Sequence, residues 1–137
     1  MKWLYWFLSG ALAVPLAHHP VMAIFYAMRI APYRPYSFER TKPLGVPQVI
    51  SLSFWGGVWG LVLGLVLARI QSPNLWWIAA LVFGALAPTI VAGIILRIKR
   101  SPIKPTPGLV ICGFVVNAAW GLGAAVIYKL LNAWRAT

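Results

Sequence analysis

Four long apolar segments, joined by short polar links, constrain this chain more than any other feature of its sequence. They cover about residues 3–28, 49–68, 75–96 and 109–131. Each reaches or exceeds the roughly 20 residues that a helix needs to cross about 30 Å of hydrocarbon. We therefore predict an all-α integral membrane protein, a bundle of four transmembrane helices that forms a single domain over residues 1–137.

The positions of the basic residues indicate how the helices are oriented. Eight of the twelve Lys and Arg residues lie in the two links that follow the first and third segments. Because short cytoplasmic loops are enriched in Lys and Arg, we predict that these links face the cytoplasm and that both termini lie outside, in the inner membrane of a bacterium. The eight residues are Arg29, Arg34, Arg40, Lys42, Arg97, Lys99, Arg100 and Lys104.

The composition narrows the class of function. Charged residues make up only 9% of the chain, against about a quarter in soluble domains. The net charge of +11 lies in the loops rather than along a soluble face, so we do not expect a nucleic-acid partner. Glu39, in a loop, is the only carboxylate, and Cys112 is the only cysteine. Without a carboxylate pair or a nucleophile motif, we predict no catalytic residue and no enzyme.

Small residues at helical spacing predict the packing faces. Gly56, Gly60 and Gly64 recur every fourth residue in the second segment, and Gly113, Asn117 and Gly121 do so in the fourth. In lipid, such residues let helix backbones approach closely. For Asn117 we expect a hydrogen bond to a neighbouring helix; lining a substrate path is the alternative.

The two halves of the chain resemble each other, which suggests a 2+2 direct repeat of helical hairpins over about residues 1–70 and 75–137. WLYWFLSGALA (3–13) aligns with WIAALVFGALA (77–87), and Trp-Gly-Leu occurs at 59–61 and again at 120–122. Gly10 precedes Arg29 by nineteen positions, whereas Gly84 precedes Arg97 by thirteen. We interpret the six extra residues as an insertion around the His-His-Pro sequence at 18–20, with no counterpart in the second half.

His18 and His19 are the best candidates for binding a cofactor. Ionisable residues inside a span are rare and suggest function, and imidazole ligates haem or chlorophyll metals. Adjacent side chains point about 100° apart on a helix, so we do not expect the pair to share a metal ion. The alternative is that both histidines lie near the inner interface or bond a neighbouring helix. Whether the protein holds a cofactor at all stays open at this level.

These features favour a non-enzymatic accessory or assembly subunit that packs against a larger membrane protein complex, or against itself, and against lipids or pigments. The eight basic loop residues would then contact anionic lipid headgroups or the partner. One alternative is a small channel or transporter for anions or lipid headgroups that acts as a homodimer. Another is a subunit that binds a haem or chlorophyll through His18 or His19.

Overall fold

The structure, a computed structural model, describes residues 1–135 and is mainly helical. The first span has three parts: helix α1 (Lys2–Ala13), a π-helical turn (Val14–His18) and helix α2 (His19–Ala27). The other spans are α3 (Gln48–Leu67), α4 (Pro73–Ile98) and α5 (Pro107–Arg135). Two short strands, β1 (Arg40–Thr41) and β2 (Val46–Pro47), pair antiparallel in the first loop.

The four spans contain 26, 20, 26 and 29 residues and are each long and apolar enough to cross a membrane. The prediction of an all-α, multi-pass membrane protein is confirmed at that level, and the predicted limits lie within four residues of the observed ones. The β ribbon in the first loop is not predicted from the sequence. Its turn is closed by the Thr41 hydroxyl, which donates to the Val46 carbonyl at 2.8 Å.

Helices α2 and α4 end in the same way, each with an arginine in the left-handed conformation. Arg29 has φ 59° and Arg100 has φ 48°. The next N–H groups, of Ile30 and Ser101, donate back to carbonyls five residues earlier, the pattern of a Schellman cap. Arg100, rather than Arg97, thus ends its helix as Arg29 does. Arg29 follows Gly10 by nineteen positions and Arg100 follows Gly84 by sixteen, so this count differs by three, whereas the count to Arg97 differs by six.

Each hairpin is held by one pair of glycines that bring two helix backbones together. A Cβ built on Gly10 in α1 would lie 2.8 Å from the Cα of Gly60 in α3. A Cβ built on Gly84 in α4 would likewise lie 2.8 Å from the Cα of Gly121 in α5. Real Cβ atoms do not approach a backbone so closely, so both positions require a residue without a side chain.

The other predicted packing residues also lie at helix contacts. A Cβ on Gly56 would meet the Val14 side chain at 2.5 Å, and one on Gly64 would meet the Trp6 ring at 2.6 Å. Gly113 is less tightly packed, at 3.2 Å from Thr89. Helices α1 and α5 occupy the middle of the bundle, while α3 and α4 lie outside them and touch each other less.

Aromatic side chains fill the end of the bundle opposite the first loop. Trp6 is 2% exposed and stacks on Tyr128, with ring centroids 3.7 Å apart. The ammonium group of Lys129 lies 4.9 Å from the ring centroid of Trp76, within the range of a cation–π contact. This cluster joins α1, α4 and α5 at that end.

Candidate functional site

The first span contains a π-helical turn because prolines interrupt its ladder of hydrogen bonds. Pro15 has no N–H, and the N–H of the preceding Val14 donates to the carbonyl of Ala11. The carbonyl of Gly10, which Val14 would bond in a continuous α-helix, instead accepts a hydrogen bond from Nε1 of Trp120 at 2.9 Å. This buried bond joins α1 in the first hairpin to α5 in the second.

A second proline, Pro20, lies at the start of α2, just after the π turn, and the first loop compensates for its missing donor. The N–H of His19 donates to the carbonyl of Val14, and the next donor in that pattern is missing because it belongs to Pro20. The corresponding acceptor, the Pro15 carbonyl, takes a 2.7 Å hydrogen bond from the Tyr36 hydroxyl. The backbone N–H of Tyr36 also donates to Nδ1 of His19 at 2.7 Å. Tyr36 thus fastens the loop onto the π turn.

His19 therefore has a structural contact on its loop side. It is 3% exposed, and its ring lies 4.7 Å from that of Tyr36, measured between centroids. Because Nδ1 accepts a hydrogen bond, the proton of a neutral imidazole would be on Nε2. That Nε2 is buried and has no hydrogen-bond partner among residues 1–135. Of the two predicted cofactor ligands, His19 is thus the one already engaged by the loop.

Replacing Tyr36 with phenylalanine should destabilise the protein by about 1 kcal/mol, because the Pro15 carbonyl then loses its hydrogen-bond donor. Tyr26→Phe is a matched control, since Tyr26 is also a tyrosine near the loop end of the first span and is 44% exposed. The free energy of unfolding of both variants can be measured in mixed micelles with a denaturing detergent. Equal stability of the two variants would contradict the proposed role of the Tyr36 hydroxyl.

A cavity of about 200 Å³ lies between the four spans. Its wall combines three tryptophans, two polar residues and five other residues, namely Trp55, Trp59, Trp120, His18, Asn117, Val14, Leu52, Gly56, Pro88 and Ala92. Several of these occupy equivalent places in the two hairpins. His18 lies eight residues after Gly10, and Ala92 lies eight residues after Gly84. Gly56 lies four residues before Gly60, and Asn117 lies four residues before Gly121. The cavity therefore lies where the two hairpins meet.

The polar lining of the cavity lies well inside the bundle. His18 lies nine residues before the end of α2, about 14 Å along a helix. Its Nδ1 is buried and has no hydrogen-bond partner among residues 1–135. Asn117 lies ten residues into α5 and donates from Nδ2 to Oγ1 of Thr89 at 2.9 Å, the cross-helix bond expected from the sequence. The hydroxyl of Thr89 in turn donates to the Gly113 carbonyl at 3.1 Å.

The cavity opens sideways, between α3 and α4. Two of its lining residues on α3, Leu52 and Trp55, are 37% and 57% exposed, and Ala92 on α4 is exposed as well. Helices α3 and α4 approach each other farther from the first loop, where the rings of Trp59 and Phe83 lie 6.0 Å apart. In a membrane this opening faces hydrocarbon rather than water.

The eight basic residues predicted to contact lipid or a partner are all exposed. One of them, Arg29, lines a shallow depression of about 530 Å³ at the end of α2. Residues of the first loop pack beside it, since Ala31 is buried against Cys112 and Val116 of α5. Burial also raises the pKa of the nearby Tyr33 hydroxyl, so this side chain is uncharged at neutral pH.

The arrangement of the site limits the chemistry it supports. Among residues 1–135, no group of three or more His, Cys, Asp and Glu side chains is placed to hold a metal ion. The cavity, at about 200 Å³, is smaller than the roughly 300–1,000 Å³ typical of pockets for drug-sized ligands. A haem or chlorophyll macrocycle is larger than this volume.

Comparison of the chain with protein-family models, with curated proteins and with solved structures finds no match. The class of protein is therefore defined by the fold alone, as a four-span helical membrane protein. Among the residues that build the site, sequence reasoning missed Trp55, Pro88 and Tyr36. The repeated Trp-Gly-Leu triplets point to Trp59 and Trp120, but no pattern in the sequence indicates that a loop tyrosine bonds the π turn.

Proposed function

We propose that this protein is a non-enzymatic integral membrane subunit that packs against a transmembrane helix of a larger complex through the outer face of α4. The observation that carries the proposal is Gly93. It is the one helical glycine among residues 1–135 whose Cβ would meet no atom within 4 Å. At every other helical glycine, a Cβ would come within 3.2 Å of a neighbour or closer.

Gly93 lies inside α4, five residues before the helix ends at Ile98, and no contact within the described chain accounts for a glycine there. Glycine there costs about 0.5–1 kcal/mol relative to alanine. Small residues in membrane helices commonly permit close contact with another helix. Around Gly93 the face is apolar, with Ile90 and Ile94 53% and 52% exposed. A helix of a partner protein would approach the α4 backbone at this point.

A large side chain at position 93 should prevent the protein from binding its complex without unfolding the protein. Gly93→Leu adds a side chain where the chain itself has no contact, so the stability of the monomer should stay within about 0.5 kcal/mol of the wild type. Copurification with the partner from gently solubilised membranes should fall at least tenfold. Ala133→Leu, at an exposed small residue on α5, is the control and should copurify normally.

Two results would reject the proposal. One is wild-type protein that migrates only as a free monomer in native gels. The other is a Gly93→Leu variant that copurifies as well as Ala133→Leu does. Crosslinking at the α4 face also distinguishes a foreign helix from a second copy of this chain.

The geometry gives the two alternative functions less support. An anion or lipid-headgroup channel needs charged or strongly polar groups along its path, and no Lys, Arg or Glu is among the described residues that line the cavity. A haem or chlorophyll site at His18 or His19 needs more space than the cavity offers, and Nδ1 of His19 is already bonded to Tyr36.

The proposal includes the topology and the origin of the bundle. Both termini lie outside, and the two basic loops contact anionic lipids on the cytoplasmic side of a bacterial inner membrane, as the positive-inside rule indicates. The two hairpins arose by duplication. This is supported by the equivalent contacts of Gly10 with Gly60 and of Gly84 with Gly121, together with the two identical arginine helix ends.

A further inference from the structure

We infer that the cavity between the four spans binds the ring of an uncharged, lipid-soluble carbonyl or hydroxyl compound, the chemistry of a quinone or its quinol. The tail of this ligand would leave between α3 and α4. The inference is independent of the proposed complex, because the cavity and the outer face around Gly93 share no residue.

The lining excludes a charged ligand. The cavity is lined only by uncharged side chains and imidazole, with no Lys, Arg or Glu among these described residues. A charge transferred from water into such a low-dielectric site costs far more than a neutral polar group does. The anionic headgroups that suit the exposed basic loops therefore do not suit this cavity.

Two polar side chains in the cavity wall, His18 and Asn117, can form hydrogen bonds with a ligand. His18 lines the cavity, and its ring forms no hydrogen bond within residues 1–135. Because Nδ1 has almost no accessible surface, Nε2 is the nitrogen that a ligand in the cavity can reach. An imidazole nitrogen donates in one tautomer and accepts in the other. It can therefore bond a carbonyl oxygen or a hydroxyl group. Asn117 is a second polar group in the wall, and its amide already donates one N–H to Thr89.

The size and aromatic lining of the cavity indicate a ring. The volume of about 200 Å³ lies below the roughly 300–1,000 Å³ of pockets for drug-sized ligands, so the cavity suits a small group. The indoles of Trp55, Trp59 and Trp120 line the space and offer faces and edges to a flat group.

The opening indicates where the ligand comes from. Because Leu52, Trp55 and Ala92 line the cavity and are exposed between α3 and α4, a molecule dissolved in the bilayer can enter sideways. Its alkyl or prenyl tail would remain in the lipid. A water-soluble ligand would have no such route through this side of the bundle.

The test uses the full chain in detergent micelles and a benzoquinone with a decyl tail as the probe. Binding is measured as the concentration-dependent rise in the thermal unfolding midpoint, which gives a dissociation constant. Decylbenzene, which has the ring and the tail but no oxygen, should bind at least tenfold more weakly. Phosphatidylglycerol in excess should not compete with the quinone.

Two variants separate the cavity from general partitioning into the micelle. Ala92→Phe fills the cavity from an exposed position and should abolish the shift, while Val91→Phe, on the adjacent exposed residue outside the lining, should leave it unchanged. His18→Leu should weaken binding of the quinone about tenfold and leave that of decylbenzene unaffected. Equal binding of quinone and decylbenzene, competition by phosphatidylglycerol, or an unchanged shift in Ala92→Phe would each overturn the inference.

Discussion

Gly60→Leu is expected to unfold the first hairpin, at a cost of about 3 kcal/mol or more. A Cβ at Gly60 would lie 3.0 Å from the Cα of Gly10 and closer still to the Trp6 carbonyl oxygen. Both obstacles are backbone atoms, so no rotation of a neighbouring side chain relieves the clash and the helices must move apart. Gly60→Ala should show the same effect at reduced size.

The structure offers matched comparisons for this prediction. Gly121→Leu should be equally damaging, because a Cβ there would lie 2.9 Å from the Cα of Gly84 in the second hairpin. Gly93→Leu adds the same side chain to a membrane helix at a position without internal contacts, and should leave the monomer intact. The free energy of unfolding in mixed micelles measures all three. Similar stabilities for Gly60→Leu and Gly93→Leu would mean that the glycine contact does not hold the hairpin.

Trp120→Ala is expected to separate the two hairpins, with a loss of about 3–5 kcal/mol. Trp120 is 2% exposed, packs close to Gly56 and donates the hydrogen bond that ends on the Gly10 carbonyl. Because lipid is as apolar as the protein interior, the loss is mainly one of packing contacts and of this single bond. Trp120→Phe keeps much of the packing and should lose about 1 kcal/mol for the bond.

Trp59 provides the internal control for Trp120. It occupies the same place in the Trp-Gly-Leu triplet of the first hairpin, but it is only half-buried and meets Phe83 edge-on at 6.0 Å. Trp59→Ala should therefore cost clearly less than Trp120→Ala, about 1–2 kcal/mol. Unfolding of the two variants side by side checks the difference. An equal loss would show that the hydrogen bond to Gly10 and the deep burial of Trp120 add nothing.

Part of the site follows from sequence pattern. The spacing of Gly56, Gly60 and Gly121 indicates where helices meet, and Pro20 indicates that the first span is not a regular helix throughout. The position of His18 within a span makes it a functional candidate, and it lines the cavity. The sequence pattern does not show which residue forms a hydrogen bond with which. Tyr36 lies in a loop rich in proline, and its two bonds to the π turn depend on a fold of the loop that no periodicity describes.

The comparison of the two halves of the chain also shows what sequence pattern does not reveal. Aligning the sequences matches Arg29 with Arg97 and leaves the histidines without a counterpart. In the folded chain Arg29 and Arg100 follow the ends of α2 and α4 in the left-handed conformation. His18 lies eight residues after Gly10, and Ala92 lies eight residues after Gly84. A sequence alignment does not show where a helix ends, because the left-handed cap is set by backbone hydrogen bonds and not by the identity of its arginine.

The sequence is enough to identify the four spans, since a helix needs about 20 apolar residues to cross hydrocarbon and each segment supplies them. It also determined the positions at which those helices can touch. The folded structure was needed to show which backbone carbonyls the prolines leave free, and that Trp120 and Tyr36 donate hydrogen bonds to them. It also decided that Gly93 stays open while the cavity keeps an unbonded His18, because both depend on which helix lies beside which.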